Sequence, residues 1–375
     1  MRRCARGFLL GLAILSVYAG NASEGQFRPA TYYRAGERPY QAIAAHFTQN
    51  GKLDLAIANY VSDQVCILLG NGDGTFKRPL CFSAALPIGI ASGDLNEDGN
   101  QDLAVVETSG TGDGLLAIFL GDGAGHFKLS ANYQTGVGSA SLALADFNGD
   151  GHLDVAVTNK GFSSPGSVMT FFGDGHGKLG GRTTYKMSGG PFGIAAGDLN
   201  GDHSPDLAVA QDTGGSVAVL MNDGTGHFLK PVTYNAGGGE VVDVKIADLR
   251  HDGRNDLVVA NGSLSAVGVL LNKGNGTFAE VQLYPTHCDV EALTLADFNL
   301  DGHLDVAVAA NLDSSAFMYG KGDGSFGAPI PLVDAFKNQG GFSITAGHFI
   351  TGNKAPDLAI PIESYGKIAI MINTQ

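Results

Sequence analysis

Short apolar runs alternate with clusters of Gly, Asp and Asn along most of this chain. The most regular unit is an apolar run, a polar loop and a second apolar run. The second runs read DLAIAN, DLAVVE, DVAVTN, DLAVAQ, DLVVAN, DVAVAA and DLAIPI. Six nearly unbroken apolar residues predict a strand covered on both faces, here strand B. The run before each loop, such as PFGIAAG (191–197) or VVDVKIA (241–247), predicts strand A. Strand C follows as QVCILLG, LLAIFLG, SVMTFFG, SVAVLMN, AVGVLLN, SSAFMYG or KIAIMIN. After a Gly-rich turn, strand D is predicted to begin at Phe76, Phe127, Leu179, Phe228, Phe278 or Phe326. Six residues later it carries Phe82, Tyr133, Tyr185, Tyr234, Tyr284 or Leu332. Short strands with turn signals between them predict an all-β fold. No amphipathic run is long enough for a substantial helix.

The unit recurs seven times, and its last loop Asp returns every 48 to 52 residues. That period belongs to propeller blades, so the expected fold is a seven-bladed β-propeller with four antiparallel strands per blade. The seventh repeat reaches Gln375 directly after strand C. Residues 26–33 (QFRPATYY) carry the strand D pattern, with Phe27 and Tyr33 six apart. The N-terminal strand is therefore expected to complete blade 7, because ring closure removes exposed sheet edges.

The loops between strands A and B concentrate the acids. They read HFTQNGKLD (46–54), DLNEDGNQD (94–102), DFNGDGHLD (146–154), DLNGDHSPD (198–206), DLRHDGRND (248–256), DFNLDGHLD (297–305) and HFITGNKAPD (348–357). Oxygen side chains at loop positions 1, 3, 5 and 9, with Gly at 6 to allow positive φ, suit calcium, which takes six to eight hard oxygens. Three loops carry the full set. These are Asp94, Asn96, Asp98 and Asp102; Asp146, Asn148, Asp150 and Asp154; and Asp297, Asn299, Asp301 and Asp305. Blade 4 keeps Asp198, Asn200, Asp202 and Asp206 with His203 in place of Gly. Blade 5 keeps Asp248, Asp252 and Asp256 as candidate metal ligands, although Arg250 replaces a fourth. Blades 1 and 7 lack the first Asp and are expected to hold no metal tightly. The alternative for every loop is an Asx-turn network without metal.

This combination of strand A, acidic loop, strand B, Gly turn and Phe resembles the FG-GAP (VCBS) repeats over residues 26–375. The resemblance implies a seven-bladed propeller with Ca²⁺ on the A–B loop face and ligands on the opposite face. The family's Phe-Gly pair is clear at Phe192-Gly193, whereas its Gly-Ala-Pro element after strand B is absent. The adhesive role of integrin α-subunits is therefore not carried over.

Composition narrows the setting. Arg2, Arg3 and Arg6 precede an apolar run from Gly7 to Ala19, which reads as a secretory signal peptide over 1–22. Residues 23–375 would then be a single propeller, secreted, periplasmic or extracellular, with no membrane span. Removing the leader's three arginines takes the formal net charge from −14 to −17. Such a chain is not expected to bind nucleic acid through bulk charge. Cys66 and Cys81 flank the 70–74 turn almost symmetrically and are expected to pair in a disulfide, with two buried thiols as the alternative. His287-Cys288-Asp289 lies off the repeat, and placement without catalysis is the expected reading. No HExxH, GxSxG or phosphate-binding loop occurs. The expected function is a monomeric, non-enzymatic binding or scaffold module for a protein or glycan. Its ligand loops would be the B–C and D–A connections. The alternative is a lectin or a lyase-type, polysaccharide-active propeller, a reading that the absence of Trp weakens.

Overall fold

Strand B is the densest part of the molecule. In all seven repeats each of its six residues from Asp to the end of the apolar run is buried, as at Asp54–Asn59, Asp206–Gln211 and Asp357–Ile362. The computed structural model describes residues 26–108, 112–161, 165–311, 315–332 and 341–375. The expected signal peptide, with Cys4, lies outside the described residues.

The chain forms seven four-stranded antiparallel sheets, each ordered A-B-C-D. Blade 1 uses Pro39–Ala45, Asp54–Asn59, Gln64–Leu68 and Leu80–Ser83. The strands A of blades 2 to 7 are Pro87–Gly93, Ser139–Ala145, Pro191–Gly197, Val241–Ala247, Val290–Ala296 and Thr345–Gly347. A single 3-10 turn, Glu363–Tyr365, is the one helical element among the described residues.

Ring closure follows the expectation. Thr31–Arg34 pairs with Lys367–Met371, in register from Thr31 opposite Ile370 to Arg34 opposite Lys367. Gln26 donates to Phe298 O at 2.5 Å and to Asn373 Oδ1 at 3.0 Å, and Phe27 packs edge-on against Phe298 and Phe317. The N-terminal segment thus fastens blade 7 to blade 6. Apolar clusters fill the spaces between neighbouring blades. The one joining the chain's two ends contains Leu55, Ile57, Ala359, Ile368 and Ile370. It is built like the cluster of Ala58, Val65, Ile90 and Val105 between blades 1 and 2.

Strand D is shorter than the pattern predicted in five blades. In blade 1 Phe76 makes only an isolated bridge to Gly70, and the ladder resumes at Leu80. Pro79, Pro231, Pro329 and Pro29 stand just before the resumed strands of blades 1, 4, 6 and 7. Proline has no N–H for a ladder, and an outer edge strand is where a sheet tolerates it. The aromatic pair spaced by six has an inter-blade role. Tyr33 packs on Phe76, Tyr185 on Phe228, Tyr234 on Phe278 and Tyr284 on Phe326, with centroids 5.2–5.6 Å apart. Each tyrosine therefore braces its blade against the next.

Cys66 and Cys81 face each other across strands C and D of blade 1 and form a disulfide. Closing this 15-residue interval stabilises the fold by about 3 kcal/mol in the chain-entropy treatment. Cys288 is buried in the cluster between blades 5 and 6, where Val290 and Leu293 also pack.

Candidate metal centres

Each A–B loop is closed by the Asp that opens strand B, and this residue is fully buried in all seven blades. Its Oδ1 accepts the amide at the end of strand C: Gly70, Gly121, Gly173, Asn222, Asn272, Gly320 or Asn373, at 2.7–2.8 Å. In blades 2, 3, 4, 6 and 7 its Oδ2 accepts the amide of loop position 2 at 2.8–2.9 Å. Position 9 is therefore a staple between loop and sheet, a role the sequence reading did not separate from ligation. The signal was available, since Asp54 and Asp357 persist in loops that lack the other acids. A carboxylate oxygen holding one N–H keeps a second lone pair.

The staple role predicts a large effect where no metal is expected. Asp54 accepts from Thr48 N, Thr48 Oγ1 and Gly70 N. Asp54→Ala leaves these donors unmatched and should cost on the order of 2–4 kcal/mol. Asn50→Ala, at an exposed position of the same loop, should cost about 0.5 kcal/mol or less. Urea unfolding of the two variants measures the difference, and equal midpoints would contradict the staple.

Positions 1, 3 and 5 form the exposed part of the loop. Asp94 accepts from Asp98 N and Gly99 N, and Asp297 accepts from Asp301 N and Gly302 N. The Asn at position 3 donates its amide to the Asp at position 5 in Asn96–Asp98, Asn148–Asp150, Asn200–Asp202 and Asn299–Asp301, at 2.7–2.9 Å. Position 5 in turn accepts the amide of position 7, as Asp150 does from His152 at 2.9 Å. The His152 amide holds the Asp150 carboxyl below its ordinary value, with Asn148 assisting. Gly99, Gly151 and Gly302 have φ of 84–91°, as position 6 required, and His203 takes φ 69° in blade 4. Position 4 also turns left-handed, at Glu97, His251 and Leu300, which the sequence reading missed.

The donor chemistry suits calcium. Every side-chain donor at positions 1, 3, 5 and 9 of blades 2, 3, 4 and 6 offers oxygen, the hard ligand calcium takes. Burial pushes Asp102, Asp154, Asp206 and Asp305 up to about 6, and the acids at positions 5 and 1 push further in the same direction. Among the described residues no Lys or Arg pairs with the acids of these four loops. In this conformation the carboxylates bind backbone amides, and no group of three or more His, Cys, Asp or Glu among the described residues is gathered around a metal position.

The repeat family model for FG-GAP-like repeats matches residues 46–105, 94–157, 146–209, 198–259 and 248–308, together well over half of the chain. The chain belongs to the FG-GAP-like repeat family. Its fold resembles that of a lectin from Agrocybe aegerita described as recognising non-reducing terminal N-acetylglucosamine. That likeness has a TM-score of 0.57 and 18% identity, over 90% of this chain and 96% of the lectin. It also resembles BBS1N from a crystal of its complex with ARL6DN, with a TM-score of 0.64 and 13% identity over 93% of this chain and 98% of that one. At these identities the likeness is one of fold. No curated protein matches the sequence significantly.

Within this FG-GAP ring, the loops of blades 1 and 5 differ from their siblings. In blade 1 His46 stands at position 1, and its Nδ1 lies 2.9 Å from Lys52 O, the carbonyl of position 7. In blade 5 the Arg250 guanidinium lies on Asp256 and Asp252. Position 4 links neighbouring loops: Gln49 donates to Asn100, Glu97 meets His152, and His251 meets Gly302 O.

The opposite end of the ring is different in kind. Strands A surround an axial cavity of about 260 Å³, lined among others by Tyr40, Phe192, Asp243, Lys245, Glu291 and Phe342. Tyr40 stacks on Phe342 with centroids 5.1 Å apart, and Lys245 pairs with Asp243 at 2.9 Å. Burial pushes Glu291 up to about 7, with the Asp289 charge adding to it. An adjoining recess of about 310 Å³ includes Arg38, Tyr60, Lys160 and Phe192 at the starts of strands A and the ends of strands B. Arg38 lies over Tyr60 and pairs with Glu363; Lys160 lies over Phe192 and pairs with Asp212.

Proposed function

We propose that this FG-GAP propeller is a secreted, non-enzymatic binding module, stabilised by calcium at the A–B loops of blades 2, 3, 4 and 6. Asp, Asn and Asp at positions 1, 3 and 5 and Asp at position 9 would hold the ion, which would supply positive charge where, among the described residues, no Lys or Arg pairs with these acids. The Cys66–Cys81 disulfide supports an oxidising destination. The ligand would bind at the channel mouth on the D–A and B–C side. The observation carrying this reading is the recess of Tyr60, Phe192, Arg38 and Lys160 beside the axial cavity. It combines flat aromatic surface with fixed charge, the pairing that polar ligands use.

The printed descriptions of the two fold relatives, a glycan-recognising lectin and a protein complex, support both ligand classes for such a surface. Glycan and peptide arrays, probed with the wild type and with the Tyr60→Ala/Phe192→Ala double variant, separate them. The expected result is saturable binding on one array, lost in the variant, with no turnover. Turnover of glycans, esters or peptides would overturn the non-enzymatic reading, and binding unaffected by the variant would move the ligand away from the mouth.

A further inference from the structure

We infer that Arg250 is a resident cation of blade 5, standing in for the calcium that the sibling loops take. This rests on the calcium reading proposed above. In blades 2, 3, 4 and 6 position 3 is Asn; in blade 5 it is Arg250. Its Nε donates to Asp256 Oδ2 at 3.2 Å and one terminal nitrogen donates to Asp256 Oδ1 at 2.8 Å. That same nitrogen reaches Asn272 O at 2.9 Å, and the other lies 3.1 Å from Asp252 Oδ2. One guanidinium therefore touches the acids of positions 5 and 9 and the end of strand C together. It uses the Oδ2 that elsewhere accepts the amide of position 2. A planar fork of fixed donors suits this bidentate task, which an ammonium would perform less well.

Burial and charge agree with this assignment. Asp256 is fully buried, and the Arg250 side chain is 19% exposed. Gly324, in the C–D turn of blade 6, lies over its stem, since a Cβ there would sit 3.5 Å from Arg250 Cγ. Gly226 and Gly276 lie in the same way over Asn148 and Asn200 in the sibling loops. Arg250 thus fills the slot of the usual Asn and extends inward from it. Arg254, at position 7, adds a second guanidinium on Asp252 at 2.5 Å. The two arginines bring to Asp248, Asp252 and Asp256 the double positive charge that one calcium ion brings elsewhere. Blade 5 would then stay closed when calcium is withdrawn.

Arg250→Asn, which restores the sibling residue, tests this in the intact chain by native mass spectrometry and by melting with and without chelator. The variant is expected to bind one calcium ion more than the wild type. In chelator it should melt several degrees below the wild type, and calcium should recover most of that loss. Arg250→Lys keeps the charge without the fork. It should take up no extra ion and should melt between the other two in chelator. An unchanged ion count in Arg250→Asn beside a calcium-loaded wild type would overturn the assignment. So would equal melting of the two in chelator, or uptake of an extra ion by Arg250→Lys. A wild type that binds no calcium would instead overturn the reading of the sibling loops, and the substitution of arginine for calcium with it.

Discussion

Deleting residues 26–34 should open the ring and promote aggregation, with a melting temperature lower by ten degrees or more. The number follows from what the segment holds, at about 4–8 °C per kcal/mol for a small domain and less for a chain of this length. Lys367–Met371 would lose its outer partner and present unpaired amides and carbonyls. Blade 7 would lose the backbone bonds Arg28 N to Ile372 O and Thr374 N to Gln26 O. Phe27 leaves a gap against Phe298 and Phe317, and Tyr33 leaves one against Phe76. Each buried aromatic removed from a packed site costs on the order of 3–5 kcal/mol at full burial. Light scattering during a thermal ramp measures both effects. An unchanged melting curve would mean that the ring holds without its N-terminal strand.

Chelation should have the second large effect. Metal that binds only the folded ring contributes RT ln(1 + [L]/Kd), about 2.7 kcal/mol per site at a hundredfold excess over Kd. Several loaded loops would make the melting temperature strongly dependent on calcium concentration. Magnesium should restore it poorly, because it demands tighter octahedral geometry. The loss should be graded along the chain. Asp150→Ala or Asp301→Ala removes a position 5 oxygen and should abolish one ion's share. Asn50→Ala in blade 1 should leave the calcium dependence unchanged, since His46 already holds the position 7 carbonyl there.

Much of this architecture was legible because the propeller repeats its physics seven times. The unbroken apolar runs marked strands B, and the six-residue spacing of Phe27 and Tyr33 marked the closing strand. The Cys66–Cys81 pairing followed from their symmetric placement about one turn. Legibility ended where a residue's role depends on a neighbouring blade. The spacing of Tyr185 gave a strand D, but its contact with Phe228 lies one blade on. The loops were read as ligand sets by their oxygen content. Whether an oxygen faces a cation or an amide depends on the end of strand C, which sequence spacing does not place. Asp154 read as a ligand from its oxygen content, and its backbone partners Phe147 N and Gly173 N were not legible. Arg250 read as a lost ligand, while its length lets it reach Asp256 and Asn272. The channel groups Asp243, Lys245 and Glu291 gave no repeat signal, because each occurs in one blade only.

Calcium titration of the chelated wild-type protein by calorimetry, with the melting curve taken at each end, decides whether the A–B loops bind calcium. Saturable binding is expected, with one ion for each of blades 2, 3, 4 and 6, none for blades 1, 5 and 7, and a higher melting temperature at saturation. No binding heat, with superimposable melting curves in calcium and in chelator, would contradict that expectation and leave the loops as Asx turns held by their own amides.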